Sequence, residues 1–190
     1  KKLLISAKLQ DWIDKKIKEE LKPIKEKLDD SISAQVRAIA FNIFDRLGTI
    51  EIGEFTDFIK NINIKEKSEI SKLGIRIGAK FFYIPSFLKK STIELCAILW
   101  KIYNKPSQEF ILPLPKDGRV SFTTKDKMPA SYWSSIGYCY INGFALRVDI
   151  FEKIFFLARK KIKLGPFLDS SDMLNPAGCN ADQLKNILSF

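Results

Sequence analysis

The sequence predicts a mainly α-helical α+β fold, and three observations lead to this prediction. Apolar residues recur at helical spacing along most of the chain, four prolines cluster in one central stretch, and two strand-like segments joined by an Asn-Gly turn follow that stretch. Hydrophobic residues make up 46% of the 190 residues, which is enough to form a buried core. We therefore expect a helical N-terminal half, a long Pro-containing connection, and a C-terminal β-hairpin with helices.

Two helices are predicted at the start of the chain. Apolar residues spaced by three or four positions run through residues 3–28, with lysines and glutamates on the other face. Pro23 is expected to end or bend this helix, because proline has no N–H to donate. Ser31 or Ser33 is expected to cap the next helix, which stops at Gly48, a residue type that is common just after helix C-termini.

The stretch at residues 73–91, LGIRIGAKFFYIPSFLKKS, follows two shorter helices predicted at 55–62 and 66–72. Its two glycines do not complete a GxGxxG pattern, and the chain contains no GxxxxGK[ST], so neither a dinucleotide site nor a P-loop is predicted. We expect the glycines to permit a tight corner and the aromatic run to pack as a strand. Pro85 should set the turn into a nearly all-apolar, buried helix at 93–102.

The C-terminal part is predicted to combine an irregular connection with a hairpin-helix unit. Residues 104–135 contain the four prolines and favour a long loop with short extended pieces. Residues 138–141 and 145–148 are predicted to form the hairpin. Asp149 is expected to cap the helix that follows it, and Asn180 a last short helix.

These elements suggest three parts of the chain. They are a helical region at 1–103, the irregular connection at 104–135 and the hairpin-helix unit at 136–190, with one compact domain formed by the first and last parts as the alternative. The chain begins at Lys1 rather than methionine and ends within a helical pattern. We therefore expect it to be a piece of a longer protein.

Charge and composition limit the possible chemistry. The formal net charge of +10 favours an anionic partner. However, 26 of the 32 basic residues are lysine, which a bias towards AT-rich codons would also produce. Both explanations of the positive charge stay open. The absence of histidine excludes Cys/His and Ser/His nucleophiles and ordinary zinc sites. We expect no metal or cofactor in this chain, and no stretch is apolar enough to span a membrane.

The cysteines indicate the compartment. Cys96, Cys139 and Cys179 are odd in number and widely spaced. A disulfide framework is therefore not predicted, and a reducing, intracellular compartment, the cytoplasm, is expected.

Four segments resemble a known family. LGIRIGAKFFYIPSFLKKS, LCAILW, GYCYINGFALRVDIFEKI and GCNADQLKNIL are similar, in this order and spacing, to the C-terminal region of alphaproteobacterial helicase-related proteins, relatives of the mitochondrial degradosome RNA helicase in superfamily two. The similarity covers roughly residues 20–190. The matching positions are Leu73, Gly74, Arg76, Gly78, Pro85, Leu88, Lys89, Arg147, Val148 and Asp149.

The resemblance implies a function without catalysis in this chain. Lys90 departs from the family, in which a proline is typical at this position. None of the matching segments is a catalytic signature. The resemblance therefore implies a non-catalytic accessory module of an ATP-dependent helicase, whose motor domains, with their ATP and Mg, would lie in another part of the parent protein.

Two functions are predicted from these observations. The first is contact with single-stranded nucleic acid, RNA favoured, in which cations bind phosphates while an aromatic ring in the run at 81–83 stacks on a base; the alternative for each ring is burial. The second is a protein docking module, because residues 8–27 carry an apolar stripe between lysines and glutamates, as helices that bind in grooves do. The predicted nucleic-acid-binding residues are Arg76, Lys80, Lys89, Lys90, Arg147, Arg159, Lys160, Lys161 and Lys163.

Overall fold

The computed structural model describes residues 32–104, 111–166 and 171–190, together with 7–8, 10–16 and 19. Over these residues the fold is the mainly helical α+β fold that the sequence predicts, with helices packed around two three-stranded antiparallel sheets. Residues 10–16 are helical, whereas Pro23, Ser31 and most of the predicted first helix lie outside the described residues. In this part of the chain no helix is both long and apolar enough to cross a membrane.

The N-terminal helices follow the predicted order, and a strand that was not predicted lies between the first two of them. These elements are α1 (Ala34–Asp45), β1 (Thr49–Glu51), α2 (Thr56–Asn61) and α3 (Ile64–Lys72). Ser33 caps α1 by accepting a hydrogen bond from the Val36 N–H at 3.3 Å. Helix α1 ends at Asp45, and Leu47, with a positive φ of 62°, takes the left-handed position that was predicted for Gly48; the Gly48 N–H then donates to the Ile43 carbonyl at 2.7 Å.

The first sheet leads into a long helix. Strands β2 (Arg76–Ile77) and β3 (Phe81–Tyr83) join β1 in the order β1-β3-β2. Pro85 begins a short 3₁₀ helix, as its fixed φ allows, and α4 (Lys90–Asn104) follows. The prediction that α4 is buried on all sides is wrong, because three of its apolar side chains are exposed: Ile98, Ile102 and Tyr103.

The second sheet carries the predicted hairpin. Its strands are β4 (Ser121–Thr123), β5 (Tyr138–Ile141) and β6 (Phe144–Arg147), and the described helices around it are α5 (Ala130–Ser135), α6 (Val148–Ile162), α7 (Ser171–Ala177) and α8 (Ala181–Leu188). The Asn142-Gly143 turn has φ of 48° and 87°, as a two-residue hairpin requires. Asn180 caps α8 through a reciprocal capping box with Gln183, as predicted for Asn180.

Two local predictions in this half are wrong. Residues 130–135 form helix α5 instead of continuing the irregular connection, because Tyr132 and Trp133 on this turn are buried in the core. Asp149 does not cap α6; it lies inside the first turn, since β6 runs directly into the helix and Arg147 occupies the cap position.

Among the described residues the buried side chains form three clusters, and two of them join the two halves of the chain. One cluster combines Phe81 and Leu88 with side chains of α6, α7 and α8. Another combines Ile93, Ala97 and Trp100 of α4 with side chains of α5 and the hairpin. Helix α6 therefore packs directly against the segment at 73–91, and this contact positions the site.

Candidate nucleic-acid interface

The loop between β2 and β3 is held against α6 by a single carboxylate. Glu152 of α6 is only 8% exposed. Its Oε1 accepts hydrogen bonds from the backbone N–H groups of Lys80 and Phe81, both at 2.8 Å, and its Oε2 accepts one from Ala79. Gly78 makes this approach possible, because a Cβ at that position would overlap the Glu152 carboxyl group.

Three successive N–H groups that converge on one anion form the kind of backbone cradle that binds phosphate in other proteins. Here the anion is the carboxylate of Glu152, a residue of the same chain. The contact with Glu152 therefore accounts for Gly78, whereas Gly74 has a positive φ of 82° just after the end of α3. The anion cradle in residues 73–91 is an internal tertiary contact.

The aromatic run after this loop is packed in the core. Phe81 lies edge-to-face on Phe151 of α6, with ring centroids 5.3 Å apart, while Phe82 faces the opposite side of the sheet against α1. Both rings are buried and Tyr83 is half-buried. Neither Phe81 nor Phe82 is available to stack on a base.

Arg76 is close to the N-terminal half of α6. It lies directly across the sheet from Tyr83. Burial raises the pKa of Tyr83, the nearby carboxylates of Asp149 and Glu152 raise it further, and Arg76 opposes them. The guanidinium of Arg76 is exposed while lying beside this group of charges.

Contacts within the protein involve several of the predicted binding residues. Arg147 forms a bidentate ion pair with Asp149, at 2.7 Å and 2.9 Å, which raises the pKa of Arg147. Lys161 lies 3.2 Å from an Asp172 carboxylate oxygen. Lys80 donates to the Phe190 carbonyl at 3.0 Å. These contacts make the three cations less suited to bind a strand.

The remaining predicted residues are exposed: Arg159, Lys160 and Lys163 lie at the C-terminal end of α6, and Arg76, Lys89 and Lys90 lie outside this helix. Leu88, next to Lys89, packs against Gly137, whose carbonyl accepts the Val148 N–H at the start of α6. Because α6 spans 15 residues, its two ends are about 22 Å apart. The set predicted from sequence therefore divides into an N-terminal group and a C-terminal group.

The structure adds two residues that the sequence analysis missed. Phe156 of α6 is 67% exposed, and Lys153, Lys160 and Lys163 are exposed at positions −3, +4 and +7 from it. Residues at these spacings lie on one face of a helix. We call these four residues, together with the adjacent Arg159, the α6 face. The signal in the sequence was the spacing KxxFxxxKxxK within a predicted helix.

Phe155 shows why sequence alone did not identify Phe156. The ring of Phe155 stacks on Phe151 at 4.6 Å and is half-buried, although it is the immediate neighbour of Phe156. Helical rotation by about 100° per residue separates the two rings, so one packs and the other faces solvent. An exposed ring between cations is the arrangement that single-strand binding uses.

The cysteines are poor candidates for reactive groups. Burial raises the pKa of the Cys139 thiol, and partial burial also raises that of Cys179. Under native conditions we expect Ellman's reagent to modify Cys179 first, because Cys139 and Cys96 are buried. The rate of colour development, with the unfolded chain as reference, measures this. Modification of Cys139 as fast as in the unfolded chain would contradict the structure.

No known protein family, curated protein or solved structure matches this chain. The resemblance to the C-terminal region of helicase-related proteins therefore stays a prediction. Within the residues that the structure describes, no three potential metal ligands among Cys, Asp and Glu lie together. The fold and the site define a mainly helical α+β module with a basic, aromatic-bearing helix face.

Proposed function

We propose that this chain binds single-stranded nucleic acid, RNA in preference to DNA, through the α6 face. The observation that carries the proposal is the 67% exposed ring of Phe156 with Lys153, Lys160 and Lys163 around it. A single strand offers unpaired bases for the ring and phosphates for the lysines, whereas a duplex keeps its bases stacked. Arg159 beside the ring adds a cation that can contact phosphate bidentately.

We further propose that the module holds the strand for an ATP-dependent helicase motor in its parent protein. Support comes from the resemblance of the four segments and from the absence of histidine and of a P-loop, which leaves this chain without a recognised catalytic centre. The direct check is the coding sequence upstream of Lys1. P-loop and DExH motifs are expected there, and a different domain in that place would contradict the proposal.

The strand-binding proposal predicts a specific loss for Phe156→Ala. Stacking of one base contributes about 1–3 kcal/mol, so this variant should bind a labelled single-stranded RNA about tenfold more weakly. Fluorescence anisotropy titrations measure the affinity. Phe41→Ala is the matched control, because Phe41 is also an exposed phenylalanine on a helix, 65% exposed, and lies on α1. It should bind as the unchanged chain does.

Salt dependence tests the phosphate contacts separately. Four cations that contact phosphates of a single strand predict a slope of log K against log salt of about −3. Lys160→Gln should weaken binding and make this slope shallower, whereas Lys67→Gln on α3 should change neither. Binding without salt dependence would contradict the proposal, as would equal losses for Phe156→Ala and Phe41→Ala.

Two further comparisons distinguish other anionic partners. The same oligonucleotide as DNA tests the preference for RNA, and phosphatidylserine vesicles test a membrane surface, since exposed Ile162 and Leu164 add apolar surface at the C-terminal end of α6. If vesicle binding depended on Phe156 and neither strand bound, the partner would be a membrane surface instead of nucleic acid.

A further inference from the structure

A groove on another part of the molecule has the character of a docking site. It has a volume of about 720 Å³ and lies between the C-terminal end of α1, strand β1, the last turns of α4, and α5. Its apolar lining comes from Leu47, Ile50, Leu99, Trp100, Ile102 and Tyr103. Tyr103 is 87% exposed and Ile102 is 53% exposed, so part of this lining lacks apolar cover from the described part of the chain.

The floor of the groove is firmly built. Trp100 is buried, donates from Nε1 to the Ser131 hydroxyl at 3.3 Å, and lies edge-to-face on Tyr132 at 5.1 Å. These contacts fix the ring between α4 and α5. Ile50 on the β1 side is also buried, so packed side chains form the floor of the groove.

The charge of the groove is opposite to that of the protein. Asp45, Glu51 and Glu54 line it and are exposed, whereas its one cationic side chain, Arg46, is paired with Glu54 at 2.5 Å. The lining therefore carries an excess of negative charge in a chain whose net charge is +10. Helices α1 and α4 both end here, and the C-terminal end of a helix favours cations.

We propose that this groove docks an amphipathic helix of a partner protein that carries lysine or arginine beside its apolar face. Charge complementarity selects this occupant, because the apolar lining fits the apolar stripe while Asp45 and Glu51 face its cations. The same carboxylates repel a phosphate backbone, which separates this groove from the α6 face. One molecule can then hold a strand and a partner at the same time.

The test uses the whole chain and a fluorescent synthetic helix of leucine, alanine and lysine with apolar residues at i, i+3, i+4 and i+7. We expect saturable binding that salt weakens. Glu51→Lys should weaken it about tenfold, whereas Glu94→Lys, an exposed glutamate on α4 outside the groove, should not. Tyr103→Ala should also weaken it, and Ile64→Ala, an equally exposed apolar residue on α3, should not.

Several results would overturn the proposal. If a peptide with every lysine replaced by glutamate bound as tightly as the lysine peptide, charge would have no role in the binding. Equal effects of Glu51→Lys and Glu94→Lys would place the binding elsewhere. A lower affinity for single-stranded RNA on Tyr103→Ala would make nucleic acid the occupant, and self-association of the chain that Glu51→Lys abolishes would make a second copy the occupant.

Discussion

Glu152→Ala is expected to lower the free energy of unfolding by about 3 kcal/mol, because it removes the acceptor of three backbone N–H groups in a site with little access to water. The hydrogen bonds to Ala79, Lys80 and Phe81 join α6 to a loop more than 70 positions earlier in the chain. Folded domains have a total stability of about 5–15 kcal/mol, so this loss is large. Urea denaturation followed by circular dichroism measures it.

Glu94→Ala is the matched control for this prediction. Glu94 is exposed on α4, where a surface substitution changes stability by no more than about 0.5 kcal/mol. Glu152→Gln should fall between the two, since its amide oxygen can still accept a hydrogen bond while its NH₂ group faces further donors. A loss for Glu152→Ala no greater than that for Glu94→Ala would mean that the carboxylate does not hold the loop.

Gly78→Ala is expected to destabilise the protein by about 2–3 kcal/mol, although alanine can adopt its backbone conformation. Its φ is not in the left-handed region, so the cost does not come from backbone strain. A methyl group at residue 78 would overlap the carboxyl group of Glu152. The flexible tip of Glu152 can move away, but it then leaves the three N–H groups without their acceptor.

Gly53→Ala is the control for the glycine substitution. Gly53 also has no positive φ, and a methyl group there would have no atom within 4 Å. This variant should be neutral or slightly stabilised, because alanine restricts the unfolded chain. Equal destabilisation by Gly53→Ala and Gly78→Ala would show that loss of glycine, and not the overlap with Glu152, is the cause.

The double variant Gly78→Ala/Glu152→Ala connects the two predictions. Glu152→Ala removes the carboxyl group that the added methyl group at residue 78 would overlap, so the double variant should be about as stable as Glu152→Ala alone. Contacting residues show this kind of non-additivity. Additive losses would place the effect of the methyl group outside the contact with Glu152.

Local patterns were enough for most of the secondary structure. The hairpin around Asn142-Gly143, the cap at Asn180 and the 3₁₀ turn at Pro85 each depend on the backbone preferences of a few adjacent residues. Helix α5 was not predicted, because it depends on tertiary contacts instead of local preferences. Its six residues follow a Pro-rich segment, and burial of Tyr132 and Trp133 stabilises a turn of helix that local preference does not indicate.

The candidate interface was predictable only in part. Arg159, Lys160 and Lys163 were identified as basic residues at the end of a helix, and they are exposed. Composition could not show that Arg147 and Lys161 are paired with Asp149 and Asp172, because ion pairs depend on which elements pack together. The exposure of Phe156 could not be predicted from the sequence either, since it depends on which side of α6 meets the core.

The sequence by itself determined the fold class, the order of most elements, and the absence of a P-loop in residues 73–91, because each of these depends on residue types and their local spacing. Only the tertiary structure decided what that stretch does. It places Glu152 in the cradle of amides beyond Gly78, buries Phe81, and leaves Phe156 on the solvent side of α6. These are contacts between residues far apart in the chain, and the packing of the helices and sheets determines them.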